Sequence, residues 1–181
     1  MDLLSWFEIG FYLFNAIGNN NRTAYVGSHI RPRVMAPANW NLPVGLSFSA
    51  EFGFQKKEYS ANTSTLELRP IIDKKWKAFY LAFNPVFGKS FQGPDENRGL
   101  IFSPNVKASY DLKKTVALGL EYYGSTGPVL HFDTFNHQQH QLFVVTDLNL
   151  SPEWEFNAGL GRGFTTSTDK LIFKIILGRR F

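Results

Sequence analysis

The stretch Val44-Gly-Leu-Ser-Phe-Ser-Ala-Glu-Phe-Gly-Phe-Gln-Lys56 decides the fold. Its even positions are Val44, Leu46, Phe48, Ala50, Phe52 and Phe54, and its odd positions Gly45, Ser47, Ser49, Glu51, Gly53 and Gln55. A period of two puts one apolar and one small or polar face on a β-strand. Phe79, Leu81, Phe83, Phe87 and Phe91 repeat the pattern against Tyr80, Ala82, Asn84, Gly88 and Ser90. Phe102, Val106, Ala108 and Tyr110 do so against Ser103, Asn105, Lys107, Ser109 and Asp111. No comparable helical stripe is present.

Working outward from this stretch, turn signals separate ten alternating runs, near 3–17, 23–37, 43–58, 64–76, 78–91, 100–112, 115–125, 138–151, 154–166 and 170–181. The connections alternate in character. Those after the second, fourth, sixth and eighth runs are short: Ala38 to Asn41, Lys74-Lys75, Lys113-Lys114 and Ser151-Pro152-Glu153. Those after the first, fifth and seventh are longer and polar: Gly18 to Arg22, Gln92 to Arg98 and Ser125 to Gln138. Tight turns at one end, loops at the other and an even strand number are what a transmembrane β-barrel requires. From Trp154 to Phe164 a strand tilted near 40° spans about 25 Å, the height of the apolar band of such barrels. Aromatic residues collect where interface girdles belong, with Trp76, Tyr110, Trp154 and Phe181 at the turn end and Phe91, Tyr122 and Phe164 at the loop end.

The expectation is an all-β chain, residues 1–181 forming a single antiparallel up-and-down transmembrane β-barrel of about ten strands, or twelve if an N-terminal hairpin is missing. The alternative is a soluble lipocalin-like barrel whose Phe-rich face encloses an apolar ligand. Runs this long and a polar face rich in Gly, Ser and Asn favour the membrane.

Composition agrees. The 181 residues include 18 Phe, 44% are hydrophobic and 19% charged, which excludes disorder. No segment supplies the roughly 18 uninterrupted apolar residues of a membrane helix. With no cysteine there is neither a disulfide framework nor a thiolate metal site. The net charge of +4 is dispersed rather than gathered into a basic block, so no nucleic-acid partner is expected. Met1 to Gly18 has Asp2 where a basic region belongs and Glu8 within the apolar stretch, so it reads as mature structure; an exported protein would have its signal peptide outside this sequence.

The ending Leu171-Ile-Phe-Lys-Ile-Ile-Leu-Gly-Arg-Arg-Phe181 resembles the C-terminal signal by which the bacterial barrel-assembly machinery recognises outer-membrane proteins. Gly178 stands three residues before Phe181 with no aromatic between them, where the usual signal has a second aromatic. Pro152-Glu-Trp-Glu-Phe-Asn-Ala-Gly-Leu-Gly-Arg-Gly163 is similar to the penultimate strand of uncharacterised bacterial outer-membrane barrels, some termed transporter-like or porin-like. The resemblance implies integral residence in the outer membrane of a Gram-negative-type bacterium, with Gly178 and Phe181 as assembly signal. Its implied partners are outer-membrane lipids, lipopolysaccharide and the assembly machinery, and it implies no established activity.

Charges on the polar face alternate in sign along the chain: Glu8; His29, Arg31 and Arg33; Glu51; Glu67, Arg69 and Asp73; Lys107 and Asp111; Glu121; Asp147; Glu155; Lys174 and Arg180. They line the lumen in a barrel. There they form either a constriction that selects solutes or a set of cross-bracing ion pairs, since buried charges must be paired to be tolerated. The expected function is a passive channel for small solutes or a structural barrel, with no cofactor and no catalysis.

A weak metal candidate lies in the loop after the seventh run: His131, Asp133, His137 and His140, of which two imidazoles and a carboxylate suit Zn²⁺. A barrel hydrolase is the enzymatic alternative. The outer-membrane phospholipases want Asn-x-His with a nearby Ser, whereas Asn136 and His137 are adjacent; the barrel proteases want an Asp-Asp pair, which is absent. The alternate glycines Gly159, Gly161 and Gly163 lie on one strand face with no helix following, so they are no phosphate loop. Lys56, Lys57, Lys89, Arg98 and Lys170 fall near the loop end, at the level of lipopolysaccharide phosphates.

Overall fold

The computed structural model describes residues 6–17, 23–149, 151 and 153–179. Among these the chain forms eleven strands: β1 (Phe7–Ile17), β2 (Thr23–Met35), β3 (Gly45–Gln55), β4 (Ser64–Trp76), β5 (Phe79–Gln92), β6 (Ile101–Lys113), β7 (Val116–Ser125), β8 (Gly127–Pro128), β9 (Gln139–Leu148), β10 (Trp154–Gly163) and β11 (Ile172–Arg179). All belong to one antiparallel sheet in which every long strand pairs with the next long strand along the chain. This up-and-down order is the one expected. The additional strand is β8, two residues of the loop after β7 that pair back on β6 at Phe102 and Ile101.

Among the described residues β1 and β11 pair with no strand on their outer sides, so the sheet is open along that seam rather than closed into a barrel. The sheet nevertheless curls. Lys174 on β11 meets Glu121 on β7, three strands away. On a flat sheet those backbones would stand about 14 Å apart at the usual strand spacing. The face that carries the charges is thus the concave one, and it buries Glu121, Phe143 and Val145 to 4%, 3% and 1% exposure.

The opposite face is apolar and open. Leu46, Phe48, Phe52 and Phe54 of β3, Leu81 and Phe83 of β5, and Leu118 and Leu120 of β7 are all exposed. Register explains this: Phe83 lies beside Ile72 on one side and Val106 on the other, so each apolar row continues across the sheet. Because the side-chain period is two, one residue of slip would bring the charges out and the phenylalanines in.

Two turns differ from expectation. The β4–β5 hairpin turns at Lys77-Ala78, with Lys77 at φ 56°, rather than at Lys74-Lys75. Lys75 continues the inward row and pairs with Asp111 at 2.5 Å, so alternation persists to the Trp76–Phe79 pair. Likewise β6 includes Lys113, and its turn is Lys114-Thr115. The expected connection Gly18 to Arg22 and the turn residue Pro152 lie outside the described residues, as do Arg180 and Phe181.

Candidate functional site: the charged concave face

The concave face is set by alternation, and its depth by glycine. In β10 the inward positions include Gly159 and Gly161. A Cβ on Gly161 would stand 2.4 Å from the Phe143 ring, and one on Gly159 2.7 Å from Val145. These glycines make room for the neighbouring strand's side chains.

Beside them lies a closed ion-pair network. Lys107 Nζ on β6 contacts Glu121 Oε1 at 3.0 Å and Asp147 Oδ2 at 2.7 Å. Lys174 Nζ donates to Glu121 Oε2, which also accepts from Tyr123 Oη at 2.8 Å. Asn157 Nδ2 donates to Asp147 Oδ1 at 2.7 Å. Two ammonium groups thus face two carboxylates, and the sum is neutral. The Lys174 ammonium also stands 5.3 Å from the Tyr123 ring and 5.6 Å from that of Phe143, within cation–π range. Removing any one of the four charged members leaves an uncompensated charge on the concave face.

A second, looser cluster occupies β1 to β4. His29 Nδ1 lies 2.7 Å from Glu51 Oε1, and Gln55 Nε2 3.1 Å from His29 Nε2. With the proton on Nδ1, the imidazole donates to Glu51 and accepts from Gln55, so both contacts are satisfied. Arg31 sits over the Tyr12 ring at 4.9 Å and reaches Glu51 at 4.0 Å. Arg33 donates to Ser47 Oγ at 3.2 Å and lies 3.7 Å from Glu8. Arg69 pairs with Glu67 on its own strand at 2.9 Å. The structure thus distributes Glu8, His29, Arg31, Arg33, Glu51, Glu67 and Arg69 over one cluster and Lys107, Glu121, Asp147 and Lys174 over the other. Asp111 binds Lys75 toward the turn end. Glu155 lines a cavity of about 460 Å³ beside the Lys107–Glu121–Asp147–Lys174 network, with Tyr80, Lys107, Asp111 and Asp147.

Comparison with protein families, curated proteins and solved structures finds no match to this chain.

The loop histidines do not converge. His137 Nδ1 contacts Thr134 Oγ1 at 3.1 Å. His140 accepts from Tyr122 Oη at 2.6 Å, approaches Gln138 Oε1 at 3.0 Å and stacks on Phe135. Asp133 is taken by Arg98, whose Nη2 donates to it at 2.7 Å, while the His131 side chain is exposed. Among the described residues no three His, Asp or Glu side chains are grouped to hold a metal. Asp133 instead fixes the loop: a Cβ on Gly127, at φ 91°, would meet its carboxylate at 2.5 Å.

Of the residues in the two clusters, Tyr12, Ser47, Gln55, Tyr123 and Asn157 were absent from the charge-based list. Their parity would have found them, since each lies on the same face as a charged residue of its own strand, as Ser47 and Gln55 do with Glu51 of β3. Of the expected assembly signal, Gly178 lies in β11 opposite Glu155, and Phe181 is outside the described residues.

Proposed function

We propose that this chain is an integral outer-membrane β-barrel protein of a Gram-negative-type bacterium, without chemistry of its own, whose lumen is braced by ion pairs rather than held open. The observation that carries this reading is the division of the sheet into two faces. Large apolar side chains are exposed along strand after strand on one, and charges are buried and paired on the other. Hydrocarbon rewards the first face, and only a membrane solvent makes it inexpensive to leave uncovered. The lipocalin alternative needs the opposite orientation, with Phe48, Phe52 and Phe83 inside.

Closure of the seam between β1 and β11 would satisfy the outer backbone groups of both edge strands, which hydrocarbon cannot hydrate. Lys56, Lys57, Lys89, Arg98 and Lys170 at the loop end suit lipopolysaccharide phosphates, and the barrel-assembly machinery is the partner for insertion. Passive conduction of small solutes is the second reading, favoured by the polar-lined cavity beside Glu155.

The test has two parts. Fractionated cells should hold the protein in the outer membrane, resistant to carbonate extraction. Planar-bilayer recordings of the purified chain should then show no steady conductance. A steady current overturns the braced lumen, and a monomer soluble in buffer without detergent overturns the membrane reading.

A further inference from the structure

Proline lacks an N–H and is expected at sheet edges or bulges, not facing another proline between two central strands. Here Pro70 of β4 lies directly opposite Pro85 of β5 in the register set by Leu68–Phe87 on one side and Ile72–Phe83 on the other. Pairing is present at both flanking positions and lost between them. Flanking pairs two residues apart that exchange backbone hydrogen bonds place the prolines where the next two bonds belong. Neither residue has a hydrogen to give. Pro85 in turn faces Pro104 of β6, and the β2–β3 ladder is interrupted in the same way around Pro32. All four prolines fall on the apolar face by parity with Val34, Ile72, Phe83 and Tyr110, which are exposed.

Both sides of the β4–β5 break have chemistry of their own. Outside, an apolar groove of about 620 Å³, lined by Trp6, Trp40, Phe48 and Ile72, runs up to Pro70 and Ile71. Inside, the Arg69 guanidinium donates through Nη2 to Glu67 at 2.9 Å, while its Nε is sealed from solvent without a hydrogen-bond partner. The free Nε donor of a guanidinium, behind an apolar groove and an unlaced stretch of wall, fits an amphiphile with a long hydrocarbon chain and a small anionic head.

From this we infer that the wall between β4 and β5 is a lateral passage, through which a long-chain carboxylate moves between the bilayer and the concave face, its head received by Arg69. The inference rests on the membrane reading proposed above. It makes the route for the ligand sideways through the sheet rather than along the barrel axis.

The chain has no cysteine, so one can be introduced and labelled uniquely. Asn84→Cys, behind the break, and Ser109→Cys, on the same face between β5 and β7 pairings that are continuous, are each labelled with bimane and reconstituted into phosphatidylcholine vesicles. Stearate carrying a nitroxide near its methyl end is the probe. Quenching at position 84 should exceed that at 109 by about twofold or more, because only the unlaced wall admits the chain. Pro70→Val/Pro85→Val, which restores the missing donors, should bring position 84 down to the level of 109, and Pro85→Val alone should do so in part. Arg69→Gln should lower quenching by the free acid and leave that by its methyl ester unchanged. Equal quenching at both positions, or no effect of restoring the donors, overturns the passage; no effect of Arg69→Gln overturns the carboxylate. Failure of the parent protein to resist carbonate extraction instead overturns the membrane reading and the passage with it.

Discussion

Lys174 on β11 donates to Glu121 on β7, 53 residues away in sequence and across two intervening strands. The contact ties one edge of the sheet to its middle and holds the curl that buries Glu121. Glu121→Leu leaves the Lys107 and Lys174 ammonium groups with one fewer counter-charge. It is expected to cost about 3 to 5 kcal/mol, the usual result of removing one partner of a buried pair. Combining it with Lys174→Met should recover much of the loss, because the unpaired cation leaves as well. Urea unfolding midpoints in detergent measure both.

Phe143 packs against the bare backbone of Gly161. Gly161→Ala should destabilise by about 1 to 3 kcal/mol through overpacking, and Phe143→Leu in the same chain should relieve most of it. Neither change should alter the labelling of outward-facing cysteines, since β10 keeps its register.

Phe52 and Phe83 lie on the exposed apolar face. If that face meets hydrocarbon near the midplane, Phe52→Arg or Phe83→Arg should each cost about 2 to 4 kcal/mol of folding free energy in bilayers. In a water-facing surface the same changes would cost almost nothing. Folding titrations into vesicles distinguish the two.

The terminal residue Phe181 carries the resemblance to an assembly signal. Its deletion, or its replacement by Asp, should reduce assembly-machinery-dependent insertion more than Phe143→Asp, which changes a contact on the concave face. Insertion is read as the protease-protected fraction in proteoliposomes, and equal effects would remove the signal.

The loops at the open end are tied by Arg98, which contacts Asp133 at 2.7 Å and Asp95 at 3.6 Å, while Asn62 donates to Asp95 at 2.7 Å. Exposed pairs contribute little individually, roughly 0 to 1 kcal/mol. Arg98→Ala should therefore leave the unfolding midpoint nearly unchanged, yet make the loop at Val129-Leu130-His131 cut faster by protease, because its anchor at Asp133 is lost.

The ten long strands and their facing were legible from residues alone, whereas the two-residue β8 was not. In Val44 to Lys56 each side chain's face follows from its own parity, and the short connections and long loops follow from local turn chemistry. The same parity put Glu8, Arg33, Glu51, Lys107, Glu121 and Lys174 on one face. Three things it did not contain. The partner of each charge depends on registers summed over several strands and on the curl of the sheet, so Lys174 meets Glu121 rather than the nearer Glu155 in sequence. The loop histidines look like a ligand set because three of them fall within ten positions, but the fold directs each to a different neighbour. The prolines at 70 and 85 are unremarkable singly; only the β4–β5 register sets them opposite each other and removes both donors from the same place. A period of two is a local property of the chain, whereas pairing across strands is set by the whole sheet, and that is where tertiary structure alone decided.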